Sequence, residues 1–399
     1  MNWGWPEGGF GSSTKRESKT VNEQSLVAEI VLQQMAARLK AAGVKSAALD
    51  ARLLLQAIAG ISQTELLAGR APPLDTAAQE KLEAAIERRL HGESVHRILG
   101  RRAFYGLDLA LSPATLEPRP DSEAVVDLLL PLIRQKAADS EGARGSGQNS
   151  VAAAGACIAN LSRADKGLYT SANKLSCSAG KKLSQHSVKA EETLRPDKSA
   201  GNFVPRKVAD SGKPFPGEGT KQEEMPLPAA APVTLLDMGT GSGALALALL
   251  HEIPQLQAVG VDIAAEALET AQKNAEAAGL AGRFTALKSD WFSAVAGRFD
   301  FIVSNPPYIP RADIEHLADE VRFYEPRRAL DGGVDGLDFY RALAAGAAAH
   351  LAPGGRLAVE AGFGQAADII AVFQAAGFQH LATKRDLAGI DRALLFAAA

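Results

Sequence analysis

Residues 233–243 read Val-Thr-Leu-Leu-Asp-Met-Gly-Thr-Gly-Ser-Gly, an apolar run that ends on an acid and gives way to glycine at every second position. A short apolar run bounded by turn residues predicts a buried strand. Glycines directly after it let the backbone turn sharply and approach a ligand with no Cβ in the way. The apolar stretch that follows, ALALALL over 244–250, continues as a helix. The spacing is GxGxG, not the GxGxxG of most dinucleotide sites. Working outward, 258–262 (AVGVD) is a second strand, and its last residue, Asp262, stands where an acid hydrogen-bonds the ribose hydroxyls of a nucleoside. The glycine loop and Asp262 together suit an adenosine-containing ligand; the competing reading is a tight turn with an unrelated surface acid. A helix is expected over 266–278, and strands over 284–289, 299–304 and 356–360, the last after the Pro353-Gly354-Gly355 turn. Strands alternating with helices predict an α/β fold with a doubly wound, mostly parallel sheet.

Asn305-Pro306-Pro307-Tyr308 follows the apolar run FDFIVS directly. Ligands of open α/β sheets bind outside the carboxyl ends of the strands, which is where this step falls. Two prolines fix the backbone and hold the Asn305 amide and the Pro306 carbonyl in place. Those two acceptors suit both hydrogens of a planar NH₂ group, and Tyr308 offers a ring to stack on it. Taken alone, the tetrapeptide also reads as a proline-stiffened loop with a buried tyrosine. After a glycine-rich strand exit and an acidic second strand, the amide grip is the better reading.

Upstream, apolar residues recur at three- and four-residue spacing through Leu26, Ile30, Val31, Met35 and Leu39, and again over 50–61 and 76–90. This predicts a small all-helical domain over 23–100. Asn22 is placed to cap the first helix and Asp75 the helix at 76–90. Alternation through Phe104, Leu107, Leu109 and Leu111, with Gly106 as the turn residue, predicts a β-hairpin that Pro118 and Pro120 stop. A helix capped by Asp121 or Ser122, with Glu123 in its first turn, is expected to run to Gln135, so that 101–136 form a hairpin-and-helix linker. Residues 137–230 are rich in Ser, Gly, Ala, Lys and Pro with no sustained period, and are expected to be a long disordered insertion. Residues 1–22 are expected to be a flexible extension, and 231–399 the domain that carries the chemistry.

A chain of 399 residues exceeds one ordinary domain. Its 46% hydrophobic and 22% charged content is that of a globular protein and excludes end-to-end disorder or a coiled-coil rod. The net charge of −3 lacks the basic excess of a general nucleic-acid or membrane-surface binder. Both cysteines, Cys157 and Cys177, lie in 137–230; with no CxxC present, neither a disulfide framework nor a metal site is expected. No apolar run approaches the roughly 20 residues of a bilayer span. The first twenty residues carry no apolar h-region, so no signal peptide is expected and a cytoplasmic setting follows. Arg88, Arg89, Arg97, Arg101 and Arg102 form a basic cluster, which reads as a solvated, partly paired face before it reads as a partner contact.

The DMGTGSG loop, Asp262 and NPPY together resemble the class I S-adenosylmethionine-dependent methyltransferases that act on amino and amide nitrogens. LSPATLEPRPDSE at 111–123, SDWF at 289–292, SNPPYIP at 304–310 and EVRFYEPRRALDGGVDGLDFYR at 320–341 narrow the resemblance to the HemK/PrmC family of release-factor glutamine N5-methyltransferases. It spans 23–136 and 231–399; the N-terminal extension and the 137–230 insertion depart from the family pattern. The resemblance implies a Rossmann-like class I methyltransferase sheet, S-adenosyl-L-methionine as cofactor, and a glutamine of a peptide-chain release factor as acceptor. It implies that Gly239, Thr240, Gly241, Ser242 and Gly243 line the methionine and ribose portions of the cofactor and that Asp262 takes its ribose. Asp290 would offer an acceptor near the adenine and Trp291 an apolar contact, although core packing is the other reading of Trp291. Asn305, Pro306 and Tyr308 would carry the catalysis, with Asn305, Pro306, Pro307 and Tyr308 holding the glutamine and Asn305 also bordering the cofactor. Arg119 suits either the cofactor carboxylate or the hairpin–helix junction. The helical domain would dock the release factor, and a monomer with no nucleic-acid substrate and no membrane contact is expected. Three alternatives stay open: a ribosomal-protein glutamine N5-methyltransferase, an exocyclic-amine DNA or RNA methyltransferase, and a non-catalytic nucleoside-binding module.

Overall fold

The structure is a computed structural model, and it describes residues 28–145 and 232–399, with side chains over 28–141 and 232–399. The expected N-terminal extension, the Asn22 cap, both cysteines and most of the expected insertion lie outside the described residues. Five helices come first: α1 (28–41), α2 (Ala47–Ala59), α3 (Gln63–Leu67), α4 (Thr76–Leu90) and α5 (Val95–Leu99). Asp75 caps α4, its side chain accepting the Ala78 N–H at 2.6 Å. Leu39, Leu54, Leu55 and Ile86 close a small core among these helices.

Strands β1 (Arg101–Phe104) and β2 (Leu107–Ala110) pair antiparallel, as the alternation predicts. Tyr105 and Gly106 both take positive φ, 47° and 80°, the two-residue turn whose twist matches a hairpin. Phe104, Leu107 and Leu109 point into the core of the main sheet. A 3₁₀ turn, Pro120–Ser122, leads into α6 (Glu123–Gly145). This helix passes its expected end at Gln135 and carries Pro131 within it. The polar composition after Gln135 reads as a linker, but Ala137 still packs on the core, Lys136 reaches Asp300 at 3.3 Å, and Glu141 accepts from Gln255 at 3.0 Å. Those tertiary contacts extend the helix into the segment expected to be unstructured.

Seven strands form the main sheet: β3 (Val233–Met238), β4 (Leu256–Asp262), β5 (Phe284–Lys288), β6 (Phe299–Ser304), β7 (Leu351–Glu360), β8 (Phe378–Arg385) and β9 (Asp391–Ala398). Their spatial order is β5-β4-β3-β6-β7-β9-β8. Strands β3 to β7 run parallel, and β9 is antiparallel to both of its neighbours. The antiparallel pair at the end of the chain is not predicted by the sequence reading above, and β7 begins before the Pro353-Gly354-Gly355 turn rather than after it. Helices α7 (Ala244–Glu252) and α8 (Ala265–Ala277) join α6 on one face; α10 (Asp338–His350) and α11 (Ala366–Ala375) cover the other, with short α9 (Asp319–Arg322) preceding α10. Alternation along β3 sends Leu235 to the first face and Leu236 to the second. The chain winds outward from β3 through β5, then returns to place β6 on the other side of β3. That reversal is the topological switch point at which doubly wound sheets open a cleft. Among the described residues no helix is long and apolar enough to cross a membrane.

Candidate active site

A cleft of about 220 Å³ opens at the carboxyl ends of β3, β4 and β6, lined by Gly239, Gly241, Asp262, Asp290, Trp291 and Asn305 with the prolines after it. The loop after β3 is held by backbone and by one acid. The Gly239 and Thr240 N–H groups donate to the Val261 carbonyl at 2.9 and 2.8 Å, and the Gly241 N–H donates to Asp262 Oδ2 at 3.0 Å. Gly239 and Gly241 take positive φ (72° and 55°), and an added Cβ at either would meet no protein atom within 4 Å. The space beside them is therefore open for a ligand that approaches the backbone closely. Gly243 differs: its missing Cβ accommodates Leu247 and Ala271, so it serves packing at the start of α7. Thr240 turns its hydroxyl inward to Asp237 Oδ2 at 2.8 Å, and it lines, with Ser242, a smaller recess of about 60 Å³ beside the cleft. Burial pushes the Asp237 carboxyl up to about 7, against the pull of the Thr240 hydroxyl and the Ala246 N–H.

On the far wall Trp291 adopts φ 53°, a left-handed conformation that costs a bulky residue of order 1–3 kcal/mol. Its ring meets Phe339 at a centroid distance of 5.0 Å, so this residue both packs and lines the cleft. Asp290 beside it is exposed.

Asn305 leaves β6 at the cleft floor. Its Nδ2 donates to Ser122 Oγ at 3.1 Å, while its Oδ1 is buried with no hydrogen-bond partner. An acceptor shut away from water without a partner costs roughly 1–3 kcal/mol, a cost that a bound donor removes. Pro306 and Pro307 line the cleft next to it. Tyr308 does not line it: its ring packs against the apolar cluster of the second face, and burial together with the Glu360 carboxylate raises its hydroxyl well above the usual phenol range. The backbone here is braced from outside. Gln365 Nε2 donates to the Tyr308 carbonyl at 2.9 Å, the Ile309 N–H to the Leu330 carbonyl at 3.0 Å, and the Gly332 N–H to the Ile309 carbonyl at 2.9 Å. A Cβ on Gly336 would stand 2.4 Å from the Tyr308 oxygen, so only glycine fits there. Among the described residues no group of three or more His, Cys, Asp or Glu side chains is placed to hold a metal ion.

The arginine cluster departs from its expected solvated character. Arg88 and Arg101 stay exposed, but Arg89 bonds Asp50 at 2.7 Å and reaches Glu320 at 3.4 Å, and Arg97 bonds Glu325; both guanidinium side chains are nearly buried. Arg102 pairs with Glu117. Burial alone would raise the Glu117 carboxyl, but hydrogen bonds from His96 and Ser94 and the charges of Arg119 and Arg102 hold it at about 2. Arg119 reaches Glu325 Oε1 at 3.3 Å, which places it at the junction between hairpin and helix. Several of these partners escaped the sequence reading. Asn274 bonds both backbone groups of Ala110 and the Ser242 carbonyl, tying hairpin to glycine loop. Ser122, Glu360 and Gln365 lie far from NPPY along the chain. The one local signal was an acid closing an apolar strand, which Glu360 shares with Asp262.

The fold and its cleft are those of a class I methyltransferase. Residues 31–100 match the family model described as PrmC N-terminal domain, and 223–334 the one described as Methyltransferase small domain. Over 359 residues the chain is 37% identical to the release factor glutamine methyltransferase of Agrobacterium fabrum, covering 90% of this chain and 93% of that protein. The enzyme of the same name from Bradyrhizobium diazoefficiens is 37% identical over 382 residues, covering 96% and 97%, and that from Rhodospirillum rubrum 36% over 392 residues, covering 98% and 90%. The chain belongs to the release factor glutamine methyltransferase family.

Proposed function

We propose that this chain transfers a methyl group from S-adenosyl-L-methionine to the side-chain amide nitrogen of a glutamine in a peptide-chain release factor. The observation that carries this reading is Asn305 at the exit of β6, which lines the same cleft as the glycine loop and whose buried Oδ1 has no hydrogen-bond partner in the protein. The open space beside Gly239 and Gly241, and Asp262 at the end of β4, fit the methionine and ribose portions of the cofactor. Thr240, Ser242 and Gly243 support that loop, and Asp290 and Trp291 fit the adenine. When bound, the cofactor supplies an electrophilic methyl on a sulfonium with a neutral leaving group.

A carboxamide nitrogen delocalises its lone pair into the carbonyl and attacks poorly. Asn305 Oδ1 and the Pro306 carbonyl would accept its two N–H bonds, which directs the lone pair into the cleft and favours the positive charge developing on nitrogen. Pro306 and Pro307 fix these acceptors, and alignment alone is worth roughly 7–11 kcal/mol. The proton leaves after transfer, so these residues need supply no strong base. Tyr308 braces the bend from behind. The release factor would dock on the helical domain. The enzyme would act in the cytoplasm, as a monomer.

The test is to incubate the protein with labelled cofactor and purified release factor, then locate the label by mass spectrometry. One methyl group on a single release-factor glutamine, absent when that glutamine is replaced, is expected. Label confined to ribosomal protein or to nucleic acid would overturn the assignment.

A further inference from the structure

We propose that Ser122 and Glu360 are positioning residues that hold the Asn305 amide with its Oδ1 turned toward the incoming glutamine side chain. The inference deepens the function proposed above and rests on it. An amide has two unlike ends, and the end that faces a ligand is decided by what binds the other. Here the other end is bound: Asn305 Nδ2 donates to Ser122 Oγ at 3.1 Å. A serine hydroxyl has one hydrogen to give. If that hydrogen is committed elsewhere, the oxygen can only accept, and the asparagine must present its NH₂ to it.

Glu360 is placed to take that hydrogen. Strands β6 and β7 run parallel with Ser304 opposite Val359, so Asn305, the residue after β6, comes beside Glu360, the last residue of β7. The Ser122 and Tyr308 hydroxyls favour the charged form of the Glu360 carboxyl, whose Oε2 is buried with no hydrogen-bond partner and so is free to accept. Ser122 is 4% exposed and Glu360 1%, so both are withdrawn from bulk water. The relay then runs in one direction: Asn305 N–H to Ser122 oxygen, Ser122 O–H to Glu360 carboxylate. Asn305 Oδ1 is left over, buried and without a partner, as observed.

The lock depends on the charge of Glu360. A protonated Glu360 can donate to Ser122, which frees the serine hydrogen for Asn305 Oδ1. The amide can then reverse and face the substrate NH₂ with its own NH₂, donor against donor. Burial, with a smaller push from Asp121 in the 3₁₀ turn, outweighs the pull of the Ser122 and Tyr308 hydroxyls and of Arg392 on β9 and brings the Glu360 carboxyl up to about 7. Tyr340 on α10 donates to the Glu360 backbone carbonyl at 2.8 Å, which fixes the residue without titrating near neutrality. The lock is therefore engaged above pH 7 and released below it.

The experiment compares wild type with Ser122→Ala, Ser122→Thr and Glu360→Gln. Removing the hydroxyl is expected to lower kcat at least about tenfold, with the KM for the cofactor within about twofold; the threonine variant, which keeps the hydroxyl, restores kcat to within about threefold. Wild-type kcat is expected to fall with pH below about 7, and Glu360→Gln to abolish that limb. The independent readout is the Asn305 side-chain ¹⁵N–¹H signal, followed between about pH 5.5 and 9 with no acceptor present. It should titrate with a midpoint near 7 in wild type and stay flat in Glu360→Gln. A signal that does not titrate in wild type, or a folded Ser122→Ala enzyme with wild-type kcat, overturns the inference. If wild type methylates no release factor, the functional reading fails, and the amide titration still decides the lock.

Discussion

Asn305 is the residue proposed to grip the glutamine, and it lines the same cleft as the glycine loop, so its removal should separate binding from chemistry. Its Oδ1 makes no bond within the protein, and the glycine loop and Asp262 are braced without it. Asn305→Ala is therefore expected to reduce kcat by roughly 10²–10³-fold, the scale on which loss of one preorganised polar contact acts. The dissociation constant for S-adenosylhomocysteine, measured by calorimetry, should stay within about threefold of wild type. An equal loss of both in a folded protein would mean that Asn305 is a cofactor ligand rather than the grip on the glutamine. The sequence marked Asn305, Asp262 and the glycines as candidates because each closes or follows an apolar run, where position on the strand and chemical type are read together. It could not show Ser122 or Glu360 as partners of Asn305. Their meeting depends on the register of β6 against β7 and on where the turn before α6 comes to rest, and neither is a local property of the chain.

At the scale of elements, the segment 319–325 joins the helical domain to the catalytic sheet. Glu320 faces Arg89, Tyr324 donates to the His91 carbonyl at 3.0 Å, and Glu325 collects Arg97, Arg119 and the Glu117 N–H. The same chain then runs on to Arg328 and Ala329 at the cleft and to Leu330, which bonds Ile309 after NPPY. The two acids differ in burial, and their energies should differ accordingly. Glu325 has a side-chain exposure of 1%, and Glu325→Gln leaves Arg97 buried beside a neutral group, which should cost roughly 3–5 kcal/mol by denaturant unfolding. Glu320 is 41% exposed at 3.4 Å from its partner, so Glu320→Gln should cost less than about 1 kcal/mol. Equal costs would show that the seam is not held by the buried charges. The cluster read as a solvated face because five arginines near one another carry no mark of their partners, and Glu320 and Glu325 lie more than two hundred residues away. Element type was plain for the parallel strands, whose continuous apolar runs are distinctive. It was obscure for β8, an edge strand with a buried-then-alternating pattern, and for β9, whose apolar run after Arg392 fits a helix as well as a strand.

For the molecule as a whole, both ends of the undescribed stretch 146–231 meet the sheet on the side away from the chemistry. Its far end enters β3 at Val233, the amino end of that strand. Its near end leaves α6, whose last described side chains bond Asp300 at the start of β6 and Gln255 just before β4. The cleft lies at the carboxyl ends of the same strands. The residues proposed to hold the cofactor lie on loops after β3, β4, β5 and β6, all among the described residues. Replacing 146–231 with a Gly/Ser linker of about twelve residues, long enough to leave the α6–β3 connection unstrained, should keep the cofactor dissociation constant within about threefold. The melting temperature should also be unchanged within about 3 °C, because the core clusters on both sheet faces remain complete. Calorimetry with S-adenosylhomocysteine and a thermal scan check the two separately. A tenfold loss of affinity in a shortened protein that melts normally would show that the stretch reaches round to the carboxyl edge, and that the cofactor site is built from more of the chain than the sheet supplies.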